Sequence, residues 1–162
     1  MSEQPKLGLT TGRQALVAVL AGALVCALIL AAFELAGDFP PVVPWSVPIL
    51  FVVLSAAVAI YARLLPKRLE ERRVSSQEAV AALGIGKSSI MTGALFAGAH
   101  VVYVMRYLQL FDAPLPSARV IQGAATIATA LLLAVAGAFL ERACVVSDDD
   151  DDDDAGGAAE PA

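Results

Sequence analysis

Residues 15–33 read ALVAVLAGALVCALILAAF, 19 positions without a charge or a proline. At about 1.5 Å of rise per residue, a helix of that length covers roughly the 30 Å hydrocarbon core of a bilayer. Three further apolar runs follow at 42–62, 88–105 and 120–140, of 21, 18 and 21 residues. Inside hydrocarbon each backbone amide must be satisfied within its own segment or in a closed barrel. The runs lack the alternating polar pattern of barrel strands. The expected fold is therefore all-α, a polytopic integral membrane protein with four transmembrane helices in two antiparallel hairpins.

Spans are expected at about 14–35, 43–65, 86–108 and 119–141. They make one transmembrane domain over 14–146, preceded by a short N-terminal segment, 1–13, and followed by a tail, 147–162. With 58% hydrophobic and only 17% charged residues in 162, little of the chain is left for a soluble domain. A signal peptide is the competing reading of the first run, because Lys6 and Arg13 precede it and Ala31, Ala32 and Ala36 supply small residues. An ordinary signal core has only about 7–15 apolar residues, so a retained span is expected. Cys26 falls inside the first run and Cys144 just beyond the last, and such a pair, far apart, is expected to stay reduced.

Lysine and arginine near the spans set orientation, because positive residues stay on the cytoplasmic side. Lys6 and Arg13, the central Arg63, Lys67, Arg68, Arg72, Arg73 and Lys87, and the C-terminal Arg142 fall on one side of the predicted bundle. Arg106 and Arg119 fall on the other. Both termini and the central connector are thus expected in the cytoplasm, in a multi-pass protein of the cytoplasmic membrane. Phe39, Trp45, Tyr103, Tyr107 and Phe111 mark the outer ends and Tyr61 an inner end, at the headgroup level that amphipathic rings prefer. Pro40, Pro41, Pro44 and Pro48 fit an outer turn leading into a helix start.

Ser75 and Glu78 form a capping-box pattern in the central connector. The helix from Gln77 either runs into the third span as one rod or breaks near Gly84 and Gly86; continuity is the favoured reading. Gly86, Lys87 and Ser88 resemble the end of a phosphate-binding loop, but Ala81 stands where that loop needs glycine and no strand precedes it. No nucleotide, nucleic acid, metal or cofactor is expected. Arg63, Lys67, Arg68, Arg72 and Arg73 are candidate contacts for anionic lipid, against a plainer role in topology alone.

Ionisable groups deep in a bilayer are costly and are kept for a task. Here only His100 is deep, roughly 18 Å along the third span from Ser88 at the rise of a helix. It is the candidate intramembrane polar site, most simply a neutral ring bonded to a neighbouring helix. Ser89, Gly93, Ala97 and Gly98 form the candidate packing face of the third span, since small residues at helical spacing let backbones approach. Gly123, Ala124, Ala128, Ala134 and Ala138 are the corresponding residues of the fourth. An antiparallel third and fourth span brings Lys87 near Glu141 at the inner interface, and Glu34 is expected to pair with Arg106 outside.

Asp148 to Asp154 are seven consecutive aspartates, and the segment from Asp148 onward holds eight of the 16 acids and no base. Like-charge repulsion and the lack of apolar residues predict a disordered acidic tail. The preceding residues then carry a net charge of +3, so the overall −5 says nothing about substrates.

With Pro41 to Trp45 before the second span, Lys87 to Ser89 with Gly93, Ala94 and Gly98 in the third, and Leu140 to Cys144 after the fourth, the chain resembles a family of small four-span actinobacterial membrane proteins. That family is classed as a domain of unknown function, three-one-eight-zero. The resemblance covers about residues 12–146 and implies four helices in the inner cell membrane. Its members are often encoded near folate-biosynthesis genes, and it carries over no catalytic or binding residues. The expected function is that of a non-catalytic accessory or assembly component, whose partners are the lipid bilayer and a second copy or a membrane-protein client. The alternative is a small transporter or channel subunit, acting as an oligomer with a pathway near His100, Gln122, Thr126 and Thr129. No nucleophile stands beside a base, so an enzyme is not expected.

Overall fold

A computed structural model describes residues 9–38, 40–70, 76–108 and 114–153; side chains at 69–70, 76, 114–115 and 145–153 are excluded. Every regular element among the described residues is a helix: α1 (Gly12–Ala36), α2 (Ser46–Glu70), α3 (Ser76–Leu108) and α4 (Pro114–Asp153). Each contains a stretch long and apolar enough to cross a membrane. Their boundaries follow local chemistry. Thr11 caps α1 by accepting a bond from the Gln14 amide, while Gln14 Oε1 accepts from the Thr11 amide at 3.1 Å. Gly37 ends α1 in the left-handed region, φ +71°, where a side chain would be strained. Its amide and that of Asp38 return to the Glu34 and Phe33 carbonyls, which satisfies two of the last orphan acceptors of the helix.

α3 is continuous from Ser76, so Gly84 and Gly86 lie inside one rod. The predicted Ser75 cap, and with it Phe39, Arg72, Arg73 and Phe111, lies outside the described residues. α4 continues beyond the expected boundary at 147, through the first six aspartates to Asp153. Extending an existing helix needs no new nucleus, which is what allows poor helix formers to follow a stable span.

α3 and α4 form an antiparallel central pair: Gly86 lies beside Gly137 and Glu141, Gly93 beside Ala130 and Ala134, and Gly123 beside Tyr103 and Val104. α1 packs extensively on α3, and α2 on α4. The first two helices share no such contact, so they flank the central pair instead of forming the packed hairpin expected from chain order. The reason is the connector. Residues 40–44 carry no regular structure, and at about 3.3–3.6 Å per extended residue a segment of this length reaches across the end of α3.

The core lies among α2, α3 and α4. Phe51, Leu65, Ala82, Ala97, Ala130, Leu133 and Leu140 are buried together, with Leu65, Leu140 and Thr126 fully enclosed. α1 is peripheral: only Ala18, Gly22 and Leu30 of its residues are buried. Leu16, Leu20, Leu24 and Leu28 on α1 and Ile49, Leu50 and Val53 on α2 are more than half exposed. Apolar faces of that extent are a liability in water and an ordinary surface in lipid.

Candidate functional site

Three levels of the bundle carry polar chemistry. At the end bearing Arg63, Lys67 and Lys87, Glu141 is only 2% exposed. Its Oε1 accepts from the Thr10 amide at 2.6 Å and from the Thr10 hydroxyl at 2.9 Å, which ties the segment before α1 to α4. Gly86 makes this end close: a methyl group there would lie 3.1 Å from the Glu141 amide and from the Gly137 carbonyl oxygen. Lys87, half-buried, follows Gly86 directly, while the Glu141 carboxylate bonds Thr10. Glu78 accepts from the Tyr61 hydroxyl at 3.3 Å and faces Arg68 at 3.6 Å. Of the proposed lipid contacts, Arg63, Lys67 and Arg68 are exposed here.

Midway along the bundle three hydroxyls bond their own helices. Ser55 donates to the Phe51 carbonyl at 2.6 Å, Thr126 to Gln122 at 2.8 Å and Thr129 to Ala125 at 3.0 Å. His100 is half-buried, and its Nδ1 meets the Phe96 carbonyl at 2.9 Å. The ring therefore bonds its own helix, not a neighbour as expected, because the carbonyl four residues earlier lies directly beneath it. His100 also belongs to a column of rings on α3. Phe96 stacks on it at 6.1 Å, Tyr103 follows at 6.3 Å and Tyr107 at 5.1 Å from Tyr103. Phe51 of α2 meets Phe96 edge-on at 5.0 Å.

The small residues serve two interfaces. Ser89 and Gly93 face α4, with Gly137 and Ala134 opposite, and Ala97 is buried in the core. Gly98 instead faces α1, where an added methyl would overlap the Val19 carbonyl oxygen. Gly22 mirrors it against Leu95. On α4, Ala124 and Ala128 are exposed, and the true inner face passes through Gly123, Thr126, Ala130, Gly137 and Leu140. The sequence reading missed Gly22 and Gly137, although each is a glycine within a span, the signal that marks close approach.

At the opposite, proline-rich end the connector is tied down. Arg119 donates to the Pro40 carbonyl at 2.7 Å and to the Tyr107 hydroxyl at 3.1 Å, with its guanidinium 4.9 Å from that ring's centre. Tyr103 donates to Pro41 at 3.4 Å. With its amide oriented to suit both neighbours, Gln122 donates to the Val43 carbonyl at 2.9 Å and accepts from Trp45 Nε1 at 3.0 Å. Beside this strap, Arg106 donates to Oε1 of Glu34 from Nε at 2.8 Å and from its terminal nitrogen. Glu34 and Arg106 line a cavity of about 290 Å³ between α1 and α3, together with Asp38, Pro40 and Tyr107.

Four apolar rods in one bundle, with this polar strap at one end and the Thr10–Glu141 clasp at the other, match a known family model over residues 16–148. The chain belongs to the DUF3180 family, proteins of unknown function. The DUF3180 match covers all four spans and stops within the aspartate run. Neither the curated proteins nor the solved structures yield a match to the chain. In this DUF3180 protein, no three His, Cys, Asp or Glu side chains among the described residues come together as metal ligands.

Proposed function

We propose that this protein is a non-catalytic accessory or assembly component of the cytoplasmic membrane, with both termini in the cytoplasm. It works by presenting its helices to a membrane-protein client or to a second copy. The observation that carries this reading is the self-sufficiency of the middle of the bundle. The hydroxyls of Ser55 and Thr126 and the ring of His100 bond carbonyls of their own helices, and backbones close on one another at Gly93, Gly98 and Gly137. A solute path asks instead for polar groups left to face a cavity. The basic residues at the Lys87 end support the orientation.

Purification of the tagged chain from native membranes in mild detergent, followed by mass spectrometry, tests the proposal. A stoichiometric membrane-protein partner, or a cross-linked second copy, is the expected result. The alternative, an oligomeric transporter or channel subunit, rests on the half-buried ring of His100 at mid-span. Solute flux into proteoliposomes that disappears with His100→Ala would establish it and overturn the accessory role.

A further inference from the structure

Two hollows at the proline-rich end share Leu30, Glu34 and Arg106 as walls and differ in character. The first, of about 290 Å³, has a polar wall of Glu34, Asp38, Arg106 and Tyr107. The second is an open groove of about 430 Å³ that follows α1 and α3 toward mid-span, over Ala27, Ala31, Val102 and Met105. A polar chamber above an apolar groove has the shape of an amphiphile. It also sits at the right depth: Gly37 closes α1 beside it, and Arg106 is two residues from the end of α3, which is the headgroup level of a spanning bundle.

The charges select the headgroup. Both Arg106 bonds go to the same oxygen of Glu34, and no other side-chain bond of Glu34, Asp38 or Arg106 occurs among the described residues. Glu34 and Arg106 are each more than half exposed, so all three groups are open to a ligand. Glu34 and Asp38 face Arg106, and Arg119 reaches the same walls at Pro40 and Tyr107, so two carboxylates stand against two guanidiniums and the chamber offers charges of both signs. A purely anionic headgroup leaves both carboxylates without a partner, whereas a zwitterion carrying a phosphate and an ammonium meets a partner for each charge.

We infer that this cleft binds a phospholipid with a primary-ammonium zwitterionic headgroup of the phosphoethanolamine type. Its phosphate lies against Arg106, its ammonium against Glu34 and Asp38, and one acyl chain fills the Ala27–Ala31 groove.

The test uses the full chain, purified in detergent and titrated with phosphatidylethanolamine or phosphatidylglycerol, with bound lipid counted by native mass spectrometry. The wild type is expected to prefer phosphatidylethanolamine by about tenfold, as the loss of one charge-assisted contact implies. Glu34→Gln combined with Asp38→Asn should abolish that preference. Ala31→Trp should reduce retention of the lipid without touching a charge, and thermal unfolding confirms that each variant is folded. Equal binding of the two lipids by the wild type, or an unchanged preference in the double variant, overturns the inference. Displacement of the lipid by an equal concentration of soluble phosphoethanolamine also overturns it, because the apolar groove would then add nothing to binding.

Discussion

Replacing Gly137 tests the α3–α4 contact that organises the bundle. A methyl group at this position would lie 2.7 Å from the Gly86 carbonyl oxygen, 2.8 Å from Ser89 Cβ and 3.0 Å from the Ile90 amide. Non-bonded carbon atoms settle at about 3.5–4.0 Å, so the two helices must part locally by about 1 Å. Two of the three obstacles are helix backbone, which cannot swing aside as a side chain can. Overpacking of this kind costs about 1–3 kcal/mol, and losing a glycine from a helix returns up to about 1 kcal/mol. Gly137→Ala should therefore destabilise by up to about 2 kcal/mol, and Gly137→Val by more. Gly84 is the control, because nothing lies within 4 Å of a methyl group there; Gly84→Ala should be neutral or stabilising. Titration of the folded chain from mild micelles into sodium dodecyl sulfate, followed by circular dichroism, reads all three. If Gly137→Val unfolds with the wild type, or Gly137→Ala gains as much as Gly84→Ala, the interface is wrongly placed.

Glu141→Ala should cost about 1.5–3 kcal/mol by the same titration, the range for hydrogen bonds to a charged group, because Thr10 then loses the carboxylate that accepts both its amide and its hydroxyl. Glu141→Gln keeps an acceptor and should cost less. Gln122→Ala should leave Trp45 Nε1 without its partner; as Trp45 is the one tryptophan of the chain, its fluorescence maximum reports the release directly, and an unchanged spectrum would count against the strap. Arg119→Gln should speed hydrogen exchange of the Val47 and Ile49 amides, which bond the Pro44 and Trp45 carbonyls of the connector, with exchange in the rest of α2 unaltered.

Much of this fold is legible from hydropathy and length, because a bilayer requires that each crossing segment be apolar and internally bonded. Residues 15–33 need no tertiary information to be read as a helix, and the pairing of Glu34 with Arg106 follows from where their spans end. Which helices touch is less legible. Lipid-facing and protein-facing positions are both apolar, so composition cannot tell exposed Ala124 and Ala128 from buried Ala130. Backbone proximity decides the matter instead, and only glycines such as Gly22, Gly98 and Gly137 record it. The same gap explains the first two helices: chain order favours neighbours, but a connector anchored by Arg119, Tyr103 and Gln122 carries α2 across to α4. His100 shows a further limit, since spacing places the ring at mid-span while only the structure reveals that it bonds the Phe96 carbonyl.

In the proposed topology four helices cross the membrane and leave both chain ends on one side with the Arg63–Lys87 connector. Single cysteines placed at the N-terminus, near residue 73, near residue 111 and in the tail, in a chain whose Cys26 and Cys144 are replaced by serine, measure this with a membrane-impermeant maleimide on intact cells. Labelling at 111 alone is the predicted result; labelling of either terminus from outside, or a chain that leaves the membrane without detergent, contradicts it.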